Sequence, residues 1–239
     1  ESGQTPVVKQ PAPATPPCQP FLGPLAEAYT GAGSLGWVAI QGNNRVHLRP
    51  NKGQRKQHGT KKMQHYLAGL QNVPGGENVG GMPGKGLQGF SGGWYIGDVA
   101  RIKPMKPTPG HKSHQSGIDV DLTIPKKDGG MSMTKNTRKA GGWGFSRITV
   151  AQLDIEVALQ FVKYTVAHAK NIFLDQSMIN ALKVAAKAKI KAGADGWTED
   201  LYRRAFRALY HVPSHANHFH VRLKGPGVND KRGNGKLDS

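Results

Sequence analysis

The sequence predicts an α+β fold, and three observations support that class. Short segments with strand character begin and end the patterned part of the chain, whereas helical periodicity dominates residues 149–210. Strands and helices that are segregated along a chain are typical of α+β domains. The 32 glycines among 239 residues indicate many turns and long loops, which argues against a helical bundle.

The N-terminal half is predicted to contain short strands, one helix and a long loop. Segments 36–40 (GWVAI) and 46–50 (VHLRP) have strand character and flank a turn at 42–44. Apolar residues recur at helical spacing from Met63 to Leu70. The predicted order is therefore two strands, a helix over 60–70, a Gly-rich surface loop over 75–93 and a strand over 94–102.

The C-terminal half is predicted to contain three helices and a final strand. A basic, Gly-rich loop over 126–146 precedes them. Thr149 is the predicted N-cap of the first helix and Ser177 that of the second, which ends near Gly193. The predictions end with a third helix over 198–210 and an apolar strand over 218–223.

Two segments at the ends differ in composition from the region between them. Residues 1–21 are rich in proline, which predicts a disordered arm, and residues 226–239 form a basic, Gly-rich tail. One folded domain is predicted over 22–225. The sequence begins with Glu1 and has no signal sequence, which we interpret as a mature or trimmed chain whose signal peptide was removed.

The chain is strongly basic and contains one cysteine. Lysine and arginine exceed aspartate and glutamate by 18, which favours an anionic partner such as an acidic envelope polymer, an anionic lipid surface or nucleic acid. Cys18 alone excludes an intramolecular disulfide and a Cys-rich zinc site. The sequence also lacks the roughly 20-residue apolar stretch that a transmembrane helix needs.

Six of the ten histidines fall in two short windows. His111 and His114 make up the first, and His114 lies in the predicted turn before the segment GIDVDL at 117–122. The second window contains His211, His215, His218 and His220. Both windows run into segments that alternate between apolar and polar residues, a pattern that predicts strands.

Strand alternation predicts that the polar residues of these segments share a face. If the apolar residues of 117–122 face a core, Asp119 and Asp121 face the other side, and His218 and His220 do so in the final strand. Imidazole and carboxylate groups are suitable ligands for Zn²⁺, and a catalytic zinc site has three protein ligands with a fourth position left for water. One aspartate and two or more histidines therefore predict a zinc site.

The blocks around these residues resemble the LAS group of zinc peptidases, which is named for lysostaphin, D-Ala-D-Ala carboxypeptidases and sonic hedgehog. The resemblance is carried by an HxxxxxxD segment at 114–121 and an HxH segment at 218–220. Within the group, GHKSHQSGIDVDL (110–122) and SHANHFHVRL (214–223) are most similar to the penicillin-insensitive murein endopeptidases.

The resemblance implies a central antiparallel sheet with helices packed on one side and a cleft with one zinc ion on the other. By motif position, the implied zinc ligands are His114, Asp121 and His220. The resemblance assigns His218 the role of general base or of transition-state stabiliser. It also places His111 and His215 beside the site, where they orient substrate or hydrogen-bond the water on zinc.

The function implied by the resemblance is hydrolysis of peptide cross-links in peptidoglycan, in the periplasm or after secretion. The bond would be of the D-alanyl–diaminopimelyl type, in D,D or L,D form. The alternatives are a D,D-carboxypeptidase or dipeptidase of the same group, or a non-catalytic basic protein that binds cell wall or nucleic acid. The sequence shows no helix-turn-helix, zinc-finger or aromatic-stacking signature, which argues against specific nucleic-acid recognition.

Overall fold

A computed structural model describes residues 37–40, 46–48, 58–73, 93–99, 114, 116–136, 142–213 and 215–225. The predicted arm and tail, the turn at 42–44 and nearly all of the Gly-rich loop at 75–93 lie outside these residues. The predicted domain boundaries therefore remain predictions.

The centre of the fold is a six-stranded mixed sheet. From one edge to the other its strands are β2 (Val46–Leu48), β4 (Trp94–Ile96), β5 (Asp119–Leu122), β10 (Phe219–Leu223), β8 (Ala169–Leu174) and β9 (Leu209–His211). Strand β5 pairs antiparallel with β4 and β10, and β10 pairs antiparallel with β8. The outer pairs, β2–β4 and β8–β9, are parallel.

The α+β class is thus confirmed, and the sheet is mixed where the resemblance implied an antiparallel one. Parallel neighbours need a crossover connection, because the chain must return to the same end of the sheet. Between β8 and β9 that crossover consists of two helices, α3 (Gln176–Ala192) and α4 (Glu199–Ala208).

The helices cover one face of the sheet. Helix α2 (Ile155–His168) packs directly on it, because Phe161 stacks on Trp94 of β4 and on Phe219 of β10, with ring centroids 4.6 and 4.4 Å apart. Helices α3 and α4 contact α2 and each other. Helix α1 (Lys61–Gly69), followed by a 3₁₀ turn, joins α2 through a hydrogen bond of 3.0 Å between Tyr66 and Thr165.

Two helices begin at residues other than those predicted. The N-cap of α2 is Asp154, whose carboxylate accepts a hydrogen bond from the Val157 amide at 3.1 Å, and Thr149 lies in the preceding turn. The N-cap of α3 is Asp175 and not Ser177. A carboxylate at this position accepts a hydrogen bond from a backbone amide and also interacts favourably with the helix dipole, which explains the preference.

Two small two-stranded sheets lie beside the central one. Strand β1 (Trp37–Ala39) pairs with β3 (His58–Thr60), and β6 (Met133–Asn136) forms a hairpin with β7 (Gly142–Phe145) inside the segment predicted as a loop. The hairpin lies against the sheet at Gly97, where a Cβ atom would come within 2.5 Å of the Phe145 ring. Among the helices described, none has both the length and the apolar character needed to cross a membrane.

Candidate metal centre

The register between β5 and β10 brings the predicted polar residues together. Asp121 lies directly opposite His220, and Asp119 lies directly opposite Arg222. Because alternate residues of a strand share a face, all four side chains occupy the face that α2 does not cover. The predicted alternation is therefore confirmed in both strands.

His114 reaches this face from the turn before β5 and is fully buried. A backbone carbonyl can only accept a hydrogen bond, so the contact of 2.8 Å between His114 Nδ1 and the Val99 oxygen places the ring proton on Nδ1. Nε2 then faces Asp121. The turn is held by Gly117, which adopts a φ of 74° and accepts a hydrogen bond from the Thr60 amide at 3.1 Å.

Three ligand-type atoms converge at this point. Asp121 Oδ1 lies 3.1 Å from His114 Nε2 and 3.1 Å from His220 Nδ1. The other ring nitrogen of His220, Nε2, donates to Asp119 Oδ1 at 2.9 Å. Two ring nitrogens and one carboxylate oxygen therefore face one another within a buried space, and a metal ion would take the place of the protons on the two nitrogens.

This arrangement fits a metal ion. Within the part of the chain described, Asp121 Oδ1 is buried and receives no well-aligned hydrogen bond, although two ring nitrogens lie 3.1 Å away. Ligand atoms that stand about 2.0–2.1 Å from a tetrahedral Zn²⁺ are about 3.3 Å apart. The ligand atoms of His114, Asp121 and His220 all lie within 4.8 Å of one another, so the group could hold a metal ion.

The electrostatics of the three groups also favour a cation. Burial disfavours the charge on His220, but the carboxylates of Asp119 and Asp121 outweigh it and raise the pKa to about 9. For His114, burial is likewise outweighed by Asp121, and the pKa is raised. Burial of Asp121 is outweighed by His114 and its neighbours, which hold its pKa well below the usual range.

His218 lies at the rim of the centre and is held on two sides. Its Nδ1 donates to Asn217 Oδ1 at 2.6 Å, and its ring stacks on Phe145 with centroids 4.9 Å apart. Nε2 is then the proton-free nitrogen, 3.5 Å from Asp121 Oδ1. Burial lowers the pKa of His218 to about 4, so the ring is neutral near pH 7.

His215 is half-buried beside His218, with ring centroids 4.7 Å apart, and burial lowers its pKa. Together with His220 these residues form a second group that could hold a metal ion. The two groups are alternatives, because both include His220. Its Nε2 is hydrogen-bonded to Asp119, so only Nδ1 can bind a metal, and it can do so in one group at a time. His111 lies outside the residues that the structure describes.

Several contributors to the site were not predicted from the sequence. They are the Val99 carbonyl, Asn217, Phe145, Arg222 and Phe173, whose ring meets that of His220 at a centroid distance of 5.2 Å. Arg222 could have been found, because it follows His220 by two residues on the same strand face. Asn217 is the chain neighbour of His218, whereas the Val99 carbonyl, Phe145 and Phe173 depend on contacts between elements, for which the sequence carries no local signal.

An α+β domain with a buried His–Asp group and further histidines at the rim has the features of a hydrolase with a candidate metal centre. The model of the penicillin-insensitive murein endopeptidase family matches residues 79–234, and the chain belongs to that family. It is therefore a peptidase of the murein endopeptidase type. No curated protein matches the chain in a sequence search.

Proposed function

We propose that the protein is a zinc-dependent endopeptidase that hydrolyses D-alanyl–diaminopimelyl cross-links between the stem peptides of peptidoglycan. The observation that carries the proposal is the convergence of His114 Nε2, His220 Nδ1 and Asp121 Oδ1 in a buried space. Family membership supports the substrate class. Because murein lies outside the cytoplasmic membrane, the enzyme would act in the periplasm or after secretion.

His114, Asp121 and His220 would hold the metal. Their donor set of two imidazoles and one carboxylate matches that of catalytic zinc sites, which keep one position open. A bound zinc ion supplies Lewis acidity, which makes water a stronger acid and the scissile carbonyl a stronger electrophile. The alternative group at His215 and His218 contains no carboxylate to offset the charge of the metal.

His218 would carry the proton. Because Nδ1 is committed to Asn217, Nε2 faces the centre without a proton and can accept one from the attacking water. The same nitrogen then returns the proton to the amine of the leaving peptide. Stacking against Phe145 fixes the ring plane, so Nε2 keeps its direction through both transfers.

His215 would contact the substrate from its position beside His218. It is half-buried, and its ring lies 5.9 Å from that of His220 by centroid distance. Its Nδ1 faces the Pro213 carbonyl at 3.4 Å, which leaves Nε2 to accept a hydrogen bond from the substrate or from water at the centre. His111 is proposed as a further residue that orients substrate, on the motif alone.

Digestion of cross-linked muropeptide dimers tests the proposal. The metal-loaded protein should convert dimers to monomers, whereas the chelated protein and His114→Ala should not. His218→Gln should retain the metal but cleave about 10²–10⁴-fold more slowly, since it lacks the proton acceptor. The exposed histidine of α1, His65→Ala, is the matched control and should cleave like wild type.

Chromatography of the products separates the competing outcomes. Dimers that survive in every sample would refute the endopeptidase. Loss of a terminal D-alanine from monomers, with dimers intact, would instead identify a carboxypeptidase of the same group.

A further inference from the structure

We propose that Arg222 is a positioning residue of the metal centre, which acts through Asp119 to fix the ring of His220. The inference rests on the proposed function, since it assigns His220 Nδ1 to the metal. Arg222 Nε donates to Asp119 Oδ1 at 2.8 Å, and His220 Nε2 donates to the same oxygen at 2.9 Å. One carboxylate oxygen therefore links the guanidinium to the ligand ring.

The link is built into the register of the sheet. Arg222 and Asp119 are directly paired residues of β10 and β5, and His220 and Asp121 are the next pair on the same face. Side chains at such positions lie within contact distance without distortion of either strand. The arrangement thus follows from the strand pairing that forms the centre.

Burial explains why Asp119 needs a cationic partner. The Asp119 side chain is 1% exposed and that of Arg222 is 22% exposed. A carboxylate that is removed from water without a compensating charge is strongly destabilised. Arg222 supplies that charge, so the negative charge of Asp121 remains available to the metal.

The orientation of His220 follows from the same contacts. A flip of the imidazole would replace Nε2 by a carbon at Asp119 and Nδ1 by a carbon at Asp121, and it would break the hydrogen bond of 2.9 Å. The hydrogen bond from Arg222 limits the rotation of the Asp119 carboxylate. Asp119 in turn limits the rotation of the His220 ring. Partners of this kind outside the ligand set typically change metal affinity by 10–100-fold when they are removed.

Zinc affinity, measured by competition with a chromophoric chelator, tests the inference. Arg222→Gln should weaken zinc binding by about 10–100-fold, and Arg222→Lys should recover part of the loss. Asp119→Ala should weaken binding too, and Arg222→Gln should add nothing in the Asp119→Ala background, because the arginine acts through the aspartate. Arg207→Gln, an exposed arginine on α4, is the matched control.

A second readout reports the orientation of the ring without reference to metal or activity. The Nε2 proton of His220 should be a slowly exchanging NMR resonance in wild type, and it should exchange faster in Arg222→Gln. If Arg222→Gln does not fold, the same exchange measurement is made on Arg222→Lys, because a lysine keeps the positive charge but has no Nε donor at this position. The exchange should then be faster in the Lys variant.

The outcomes separate the inference from the function on which it rests. If wild type binds no zinc, the proposed function fails, while proton exchange still tests the link between Arg222 and His220. If wild type binds zinc and the Arg222 variants match it in affinity and exchange, the inference is overturned. Additive losses in Asp119→Ala and Arg222→Gln would overturn it as well.

Discussion

Asp121 is the carboxylate around which the histidines of the candidate centre are arranged. Its Oδ1 lies 3.1 Å from nitrogens of His114 and His220 and 3.5 Å from His218 Nε2. These rings keep its pKa well below the usual range for a carboxyl group, although burial opposes this. An ionised carboxylate in such a setting attracts a cation, and its loss should therefore harm metal binding more than the loss of a rim histidine.

Metal analysis of Asp121→Ala and His215→Ala checks this expectation. Wild type should contain about one zinc per chain after dialysis, Asp121→Ala should lose it, and His215→Ala should keep it. Full zinc in Asp121→Ala would contradict the ligand assignment. Loss of zinc from His215→Ala alone would place the metal in the group of three histidines instead.

Strand alternation in the sequence was sufficient to predict the shared face of Asp119, Asp121 and His220. It could not predict which nitrogen of each ring faces the centre. That choice depends on the Val99 carbonyl for His114, and on Asp119 and Asn217 for the two histidines of the final segment. The Val99 and Asp119 contacts join residues 15 and 101 positions apart, which no local pattern encodes, and the contact between the adjacent Asn217 and His218 depends on how the two side chains are oriented.

At the level of elements, the start of α3 shows a carboxylate taking the capping role that the sequence assigned to a hydroxyl. Asp175 Oδ1 accepts hydrogen bonds from both the Ser177 amide and the Ser177 hydroxyl, at 2.9 and 2.5 Å. Ser177, the predicted N-cap, thus donates hydrogen bonds to Asp175, which is the observed N-cap. These bonds lower the pKa of Asp175, and a depressed pKa means that the ionised form stabilises the folded state.

Thermal unfolding of Asp175→Ala, measured as a function of pH, tests the stabilising role of the ionised Asp175. The variant should lose about 0.5–2 kcal/mol at neutral pH, which is the usual contribution of an N-cap. Because the folded pKa lies below the usual one, the contribution of the charge is present above pH ~4 and fades as the pH falls through the folded value. Asp175→Asn keeps an acceptor and should remain near wild type without that acid dependence. An equal deficit of the Ala variant at all pH values would contradict this account.

Two strands of the sheet were missed because they follow helices without a break. Strand β8 begins at Ala169, which is also the C-cap of α2, and β9 begins at Leu209, the C-cap of α4. Neither junction contains the glycine or proline that marks the end of an element in sequence. The end of α3 was predicted correctly because Gly193 adopts a φ of 63° there.

At the scale of the whole molecule, part of the positive charge lies on helices α3 and α4. Helices α3 and α4 pack against α2 and against strands β8 and β9, and both cations that lie above aromatic rings there belong to α3. Lys183 Nζ lies 6.0 Å from the centroid of the Phe206 ring, and Lys187 Nζ lies 5.7 Å from that of Tyr202. We propose that this basic face helps the enzyme to adhere to anionic polymers of the cell envelope.

Sedimentation with purified cell wall across a salt series measures that adhesion. Binding should fall steeply with added salt, because the screening length shrinks from about 10 Å at 0.1 M to about 3 Å at 1 M. Replacement of Lys183, Lys187, Arg203 and Arg207 by glutamine should weaken binding and leave zinc content unchanged. Adhesion that ignores ionic strength would exclude an electrostatic origin.

The two strands that form the centre belong to distant parts of the chain. Strand β5 ends at Leu122, β10 begins at Phe219, and the helices α2, α3 and α4 are encoded between them. A chain that stops before β10 therefore lacks His220, and a complete chain that is still unfolded has every proposed ligand but no assembled site. The proposed site can therefore form only when β10 has paired with β5. A proteolytic cut that releases β10 would abolish metal binding and catalysis together.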